Sequence, residues 1–120
     1  MLTSDLIRGH TETIILAHLV PKDSYGYEIN KAIQEKTGGK YELKEATLYS
    51  AFRRLENARM IRSYWGDENS GARRRYYAIT ELGRQTYHQN RLDWEKAKTA
   101  IDRLISTHES RDRSAAERPD

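Results

Sequence analysis

Residues 45–79 read EATLYSAFRRLENARMIRSYWGDENSGARRRYYAI, and this stretch decides the fold. Its first part, about 45–58, has helical spacing. At about 100° per residue, Leu48, Ala51, Phe52 and Leu55 fall on one side, while Ala46, Tyr49, Ser50, Arg53 and Arg54 fall on the other. The second side holds no strong anion, and each of its polar groups can donate a hydrogen bond. A helix of that make-up suits a surface of phosphates and base edges. The runs Met60–Gly66 and Arg73–Ile79 are rich in β-branched and aromatic residues and read as strands. Between them, Asp67-Glu68-Asn69-Ser70-Gly71-Ala72 is a turn-rich hairpin loop. On the second strand Arg73, Arg75, Tyr77 and Ile79 share one face, and Arg74, Tyr76 and Ala78 share the other.

Charge concentrates in the same stretch. From Ala51 to Ile79 there are seven arginines (Arg53, Arg54, Arg59, Arg62, Arg73, Arg74, Arg75) against three acids (Glu56, Asp67, Glu68), a local excess of +4 in a chain of net charge +3. Interleaved with Tyr64, Trp65, Tyr76 and Tyr77, this block is the electrostatic footprint of a polyanion binder. The plainer alternative is a solvated charged face. Tyr49 and Arg53 stand at the centre of the polar helix face, placed to reach DNA. Arg73 and Arg74 suit phosphate or minor-groove contacts better than base reading.

Working outward, residues 4–20 read as a helix with Leu6, Ile14, Leu16, Ala17, Leu19 and Val20 on a broad apolar face. Pro21-Lys22-Asp23 stops it. A second helix starts at Ser24, an N-cap, with Tyr25, Ile29, Ala32 and Ile33 inward, and Gly38-Gly39 closes it. Gly26 in Tyr25-Gly26-Tyr27 reads as a site of close packing rather than a functional contact. A last helix opens at Thr80 and runs to about His108, roughly 40 Å. Tyr87, Trp94 and Ile101, with Asn90, Ala97 and Leu104, form an a/d seam of about three heptads. That seam predicts dimerisation; the alternative folds the helix back on its own domain. Residues 109–120 are charged, carry Ser and Pro, and read as a disordered tail.

The expected fold is therefore mainly α with a small β-hairpin. A winged helix-turn-helix domain at 1–79 is followed by a dimerisation helix at 80–108 and the tail. At 120 residues, 37% apolar and 32% charged, the chain builds one domain with a modest core, so a second copy is expected to complete the burial. The absence of cysteine excludes a disulfide scaffold, a thiolate nucleophile and a zinc-thiolate site. No apolar run reaches the ~18 residues of a membrane span, and charges within 1–20 argue against a secretory signal, so a cytoplasmic location is expected. Catalysis finds no support. His10, His18, His88 and His108 are dispersed, and neither a phosphate loop nor a nucleophile elbow is present. No catalytic residue, metal site or cofactor is expected.

The runs Tyr25-Gly26-Tyr27-Glu28, Thr47-Leu48-Tyr49, Phe52-Arg53-Arg54-Leu55-Glu56 and Arg73-Arg74-Arg75-Tyr76-Tyr77, followed by Thr80-Glu81-x-Gly83, together span about residues 5–107. In this order the sequence resembles the PadR-like family of winged-helix transcriptional regulators. Its short length and Ser63-Tyr64-Trp65-Gly66-Asp67-Glu68 look like the branch with one C-terminal helix, which includes repressors of multidrug-export genes. The resemblance implies a homodimer on an inverted-repeat operator of double-stranded DNA, usually a repressor. It makes 45–58 the recognition helix, with Thr47, Tyr49, Ser50, Arg53 and Arg54 toward DNA, and places Arg73, Arg74 and Arg75 in the wing. It also implies that Trp94 and its symmetry mate flank a pore that sandwiches planar aromatic ligands. Gly9, Glu12 and Thr13 would face that pocket, Lys98 would lie one turn beyond Trp94, and a Glu12–Lys98 pairing is one arrangement.

Two departures from the family pattern stand out. Arg59 replaces a frequent glycine after the recognition helix, so the helix is expected to end differently. Glu45-Ala46 replaces a frequent Pro-Gly, which lets the helix begin earlier. A competing reading from another class is a winged-helix module for protein–protein assembly without DNA. The cationic wing counts against it, since an assembly surface is usually less charged at its centre.

Overall fold

The computed structural model describes residues 4–66 and 73–107. In chain order these form α1 (Ser4–Ile7), a 3₁₀ turn (Arg8–His10), α2 (Thr11–Leu19), β1 (Ser24–Tyr25), α3 (Gly26–Lys36), α4 (Glu45–Asn57), β2 (Ile61–Trp65), β3 (Arg75–Ile79) and α5 (Glu81–Ile105). The strands make one antiparallel sheet in the order β1-β3-β2. The mainly helical fold with a small sheet agrees with the sequence. The hairpin loop at 67–72, His108 and the tail at 109–120 lie outside the described residues. The chain divides into two compact units, Met1–His88 and Gln89–Asp120, so the first turns of α5 belong to the N-terminal unit. Among the described residues no helix is long and apolar enough to cross a membrane.

Several expectations need correction. The continuous helix over 4–20 breaks at Arg8–His10, where a tighter turn shifts the register. Leu6 is therefore 74% exposed, and Ile15, which the wheel passed over, is fully buried. Ser24 is not a helix cap. Its backbone pairs with Tyr77, and that of Tyr25 pairs with Tyr76, so sheet pairing claims both residues and α3 begins at Gly26. The small sheet accordingly has three strands rather than two. Finally, Arg73 and Arg74 precede β3 instead of opening it.

The core gathers Ile15, Leu16 and Leu19 of α2, Ile29 and Ile33 of α3, and Leu48, Ala51, Phe52 and Leu55 of α4. The inward face of α4 is the one its spacing dictated. The Phe52 ring stacks on Tyr77 at 3.9 Å and 16°, joining α4 to the central strand. Between α3 and α4, Leu43 is 2% exposed. Asn30 holds it on both sides: its Nδ2 donates to the Leu43 carbonyl at 2.7 Å and its Oδ1 accepts from the Leu43 N–H at 2.8 Å. This clamp fixes how far α4 stands from α3.

The ends of α3 and α4 are built alike. At α3 the Gly39 N–H reaches the Gln34 carbonyl at 2.7 Å and the Gly38 N–H reaches Glu35 at 3.2 Å. At α4 the Met60 N–H reaches Leu55 at 2.9 Å and the Arg59 N–H reaches Glu56 at 2.9 Å. Both are Schellman closures, with φ of 62° at Gly38 and 61° at Arg59. The expectation that α4 ends differently is thus overturned. Arginine takes the left-handed conformation because both hydrogen bonds of the closure form and the chain must turn directly into β2. The start of α5 then docks on this corner. Thr80 Oγ1 donates to the Arg59 carbonyl at 2.7 Å and accepts from the Gly83 N–H at 3.1 Å, capping the helix as expected. A Cβ at Gly83 would stand 2.1 Å from the Met60 carbonyl oxygen, so only glycine permits the approach.

Candidate nucleic-acid interface

Because Leu48, Ala51, Phe52 and Leu55 of α4 are buried, the opposite side of the helix is left to solvent. Thr47, Arg53 and Arg54 are exposed and Ser50 is half-buried. Tyr49 is 40% exposed, and its ring meets Phe52 edge-on at 5.5 Å. A Cβ at Gly26 would lie 2.8 Å from the Tyr49 hydroxyl, so the close-packing reading of Gly26 holds and the tyrosine rests on the start of α3. Tyr49 thus braces the helix and still presents a polar edge.

The arginines beside β3 are arranged by aromatic rings. Arg73 lies over Trp65 with its guanidinium carbon 4.9 Å from the ring centroid, Arg75 over the same ring at 5.6 Å, and Arg74 over Tyr25 at 4.9 Å. Arg75 is tied down further, donating to Ser63 Oγ at 2.7 Å and standing 4.0 Å from Glu56. The charge of Arg75 is thus partly answered within the chain.

An open cleft of about 510 Å³ lies between the start of α4 and the sheet, lined by Tyr25, Tyr27, Tyr49, Trp65 and Arg73, Arg74 and Arg75. The three wing arginines and Tyr49 therefore share one surface, joining two groups the sequence had identified separately. Tyr27 at 72% exposure and Trp65 at 51% are further members of that surface. Trp65 was visible as an aromatic within the basic block. Nothing in the spacing of Tyr27 marked it, because its position depends on where β1 ends.

On the outer side, Tyr64 stacks with Tyr76 at 5.7 Å, and Tyr76 meets Tyr25 edge-on at 5.3 Å. Tyr64 donates to Asp23 Oδ2 at 2.5 Å, and that bond raises its phenol above the ordinary 10.0. Burial raises Tyr77 in the same direction, so the stacked core ring stays neutral. Among the described residues no cluster of His, Cys, Asp or Glu could hold a metal ion.

The residues assigned to a ligand pocket are divided between the two units. Gly9, Glu12 and Thr13 lie in the first, and Trp94 and Lys98 on α5 in the second. Within the first unit Glu12 accepts from Arg54 Nε at 2.7 Å, and within the second Lys98 Nζ stands 3.1 Å from Glu95. Along the seam, Tyr87 is half-buried and packs against the core of its own unit. Farther along, Asn90 is half-buried and Ala97 exposed, Trp94 is 38% exposed, Ile101 49% and Leu104 82%.

Comparison with known proteins gives this architecture its family. Residues 15–89 match the model of the transcriptional regulator PadR-like family. A curated but uncharacterized protein of Lysinibacillus sphaericus is 44% identical over 102 residues, covering 85% of this chain and 94% of its own. The structure of a transcriptional regulator from Clostridium thermocellum is 48% identical, with a TM-score of 0.81 over 88% of this chain and 100% of that one. A PadR family transcription regulator from Clostridium difficile is 34% identical, with a TM-score of 0.71 over 82% and 100%. A donor-bearing α4, a cationic hairpin beside it and a family match over residues 15–89 lead to one assignment: this chain belongs to the PadR-like family of DNA-binding transcriptional regulators and is not an enzyme.

Proposed function

We propose that the protein is a cytoplasmic homodimer that binds an inverted-repeat operator and represses transcription until a planar aromatic molecule binds at the dimer interface. The observation that carries this reading is the shared surface of α4 and the wing, where Tyr49 lines the same cleft as Arg73, Arg74 and Arg75. Thr47, Tyr49, Ser50, Arg53 and Arg54 enter the major groove, and the wing arginines neutralise phosphates beside it. Dimerisation through α5 rests on Trp94, Ile101 and Leu104, apolar side chains exposed at heptad spacing in the single chain. Two-fold symmetry then sets two heads on successive groove faces about 34 Å apart. Trp94, as a facing pair, offers a stacking surface for the ligand, with Gly9, Glu12, Thr13 and Lys98 as its surroundings.

Fluorescence anisotropy with a labelled duplex from upstream of the protein's own gene tests this. If six to ten phosphates are neutralised per dimer, affinity falls by roughly 10³–10⁵ between 50 and 200 mM salt. Arg73→Ala with Arg74→Ala weakens binding to every sequence and flattens that slope. A planar aromatic dye should lower the affinity of the wild type by about 5–150-fold, the usual span of a coupling free energy, and should leave Trp94→Ala unaffected. No binding to any duplex at 50 mM salt would favour the assembly module.

A further inference from the structure

Arg54 is the one arginine on the exposed face of α4 whose guanidinium is bonded at two points. Its Nε donates to Glu12 Oε1 at 2.7 Å and its Nη1 donates to Ser50 Oγ at 3.0 Å. Ser50 sits one turn earlier on α4, but Glu12 lies 42 residues away on α2. Its backbone is fixed, because Ile15, Leu16 and Leu19 of the same helix are at most 1% exposed in the core. The carboxylate is therefore a stationary post on a rigid element, and both side chains of the pair stay roughly half exposed at the surface.

A guanidinium carries five N–H donors in a planar fork. Glu12 takes the Nε edge and Ser50 one hydrogen of Nη1, which leaves the Nη2 end without a partner among the described residues. Phosphate oxygens and the O6/N7 edge of guanine are both read by that outer end. We infer that Glu12 is a positioning residue for DNA recognition: it holds the Arg54 fork by its inner edge so that the outer edge meets the operator already oriented. This rests on the assignment of α4 as the DNA-reading helix. It gives Glu12 a role different from the ligand pocket to which the family resemblance would send it. An unbraced arginine must give up its rotamer freedom when it binds, whereas a braced one has already done so. The same carboxylate repels phosphates that approach without engaging Arg54, so its contribution falls on discrimination more than on total affinity.

A double-mutant cycle with the anisotropy assay reads this as the ratio of affinities for the operator and for a scrambled duplex of equal length. Glu12→Ala lowers the ratio about two- to fivefold, the span of an exposed ion pair. In an Arg54→Ala background the same substitution changes nothing, and in an Arg53→Ala background its effect is undiminished. Glu12→Gln, which keeps an oxygen acceptor for Nε, retains most of the ratio. A thermal melt of each variant matching the wild type separates the effect from folding. A ratio unchanged or raised by Glu12→Ala, or an equal loss in the Arg54→Ala background, overturns the inference while leaving DNA binding intact. A wild type that binds no duplex removes the reading of α4 and this inference together.

Discussion

Within the unit that ends at His88, Ile15, Phe52 and Leu55 are at most 1% exposed; beyond it, Ile101 is 49%, Leu104 82% and Ile105 73% exposed. Both regions carry apolar side chains at helical spacing, yet only the first gives them somewhere to go. Exposure removes the reason for an apolar residue unless something outside the chain supplies the burial. The N-terminal unit is thus specified by its own contacts. The far part of α5 has a pattern that the single chain leaves unexplained and that the proposed second copy would complete. The two regions should accordingly fail in different ways when altered.

The largest effect is expected in the core. Phe52 stacks on Tyr77 and meets Tyr49 edge-on, so Phe52→Ala empties the junction of α4 with the central strand. A loss of about 3–5 kcal/mol is expected in urea denaturation, a large part of the 5–15 kcal/mol of an ordinary domain. The loss should persist at every protein concentration. A loss under about 1 kcal/mol would mean that the junction repacks and that the unit is less closed than its burial implies.

Ile101→Asp with Leu104→Asp should act through association alone. Neither residue is buried within the single chain, so the N-terminal unit keeps its near-ultraviolet circular dichroism while sedimentation shows a monomer. The wild type's added stability from dimerisation would be about 2.7 kcal/mol at a hundredfold excess over Kd and would vanish on dilution. A variant that remains dimeric moves the interface elsewhere, and one that unfolds at any concentration returns α5 to the chain's own core.

What the sequence disclosed follows the same division. The inward face of α4, the cap at Thr80 and the glycine closure of α3 were legible because each is set by residues within one turn of one another. β1 was not, because two residues carry no periodicity and Ser24 and Tyr25 become a strand only through Tyr77 and Tyr76. Leu6 misled for a related reason: a helical wheel assumes an unbroken helix, and the turn at Arg8–His10 breaks it. In the interface, the residue types on α4 and the wing were readable, but their engagements were not. Arg54 meets a carboxylate 42 positions away, and the parking of Arg73 and Arg75 on Trp65 depends on the register of β2 with β3.

The smallest effect tests whether even the well-closed unit contains a residue at odds with its backbone. Gly38 and Arg59 occupy the same position in the same helix closure, at φ of 62° and 61°. For glycine that conformation is free, whereas a Cβ there costs about 1–2 kcal/mol. Arg59→Gly relieves the strain and gives back part of the gain through a more flexible unfolded chain, about 0.5–1 kcal/mol. The net stabilisation should be about 0.5–1 kcal/mol, raising Tm by roughly 3–5 °C in a domain of this size. The bonds that dock α5 survive, because Thr80 is held by the Arg59 carbonyl and the Met60 carbonyl rather than by the arginine side chain. Arg59 also adds positive charge to the basic block, and removing it relieves repulsion, so Arg59→Ala is the necessary partner. Alanine discards the charge but keeps the Cβ and should leave Tm nearly unchanged. Equal gains from glycine and alanine would assign the effect to charge, and the left-handed corner would then carry no strain for glycine to relieve.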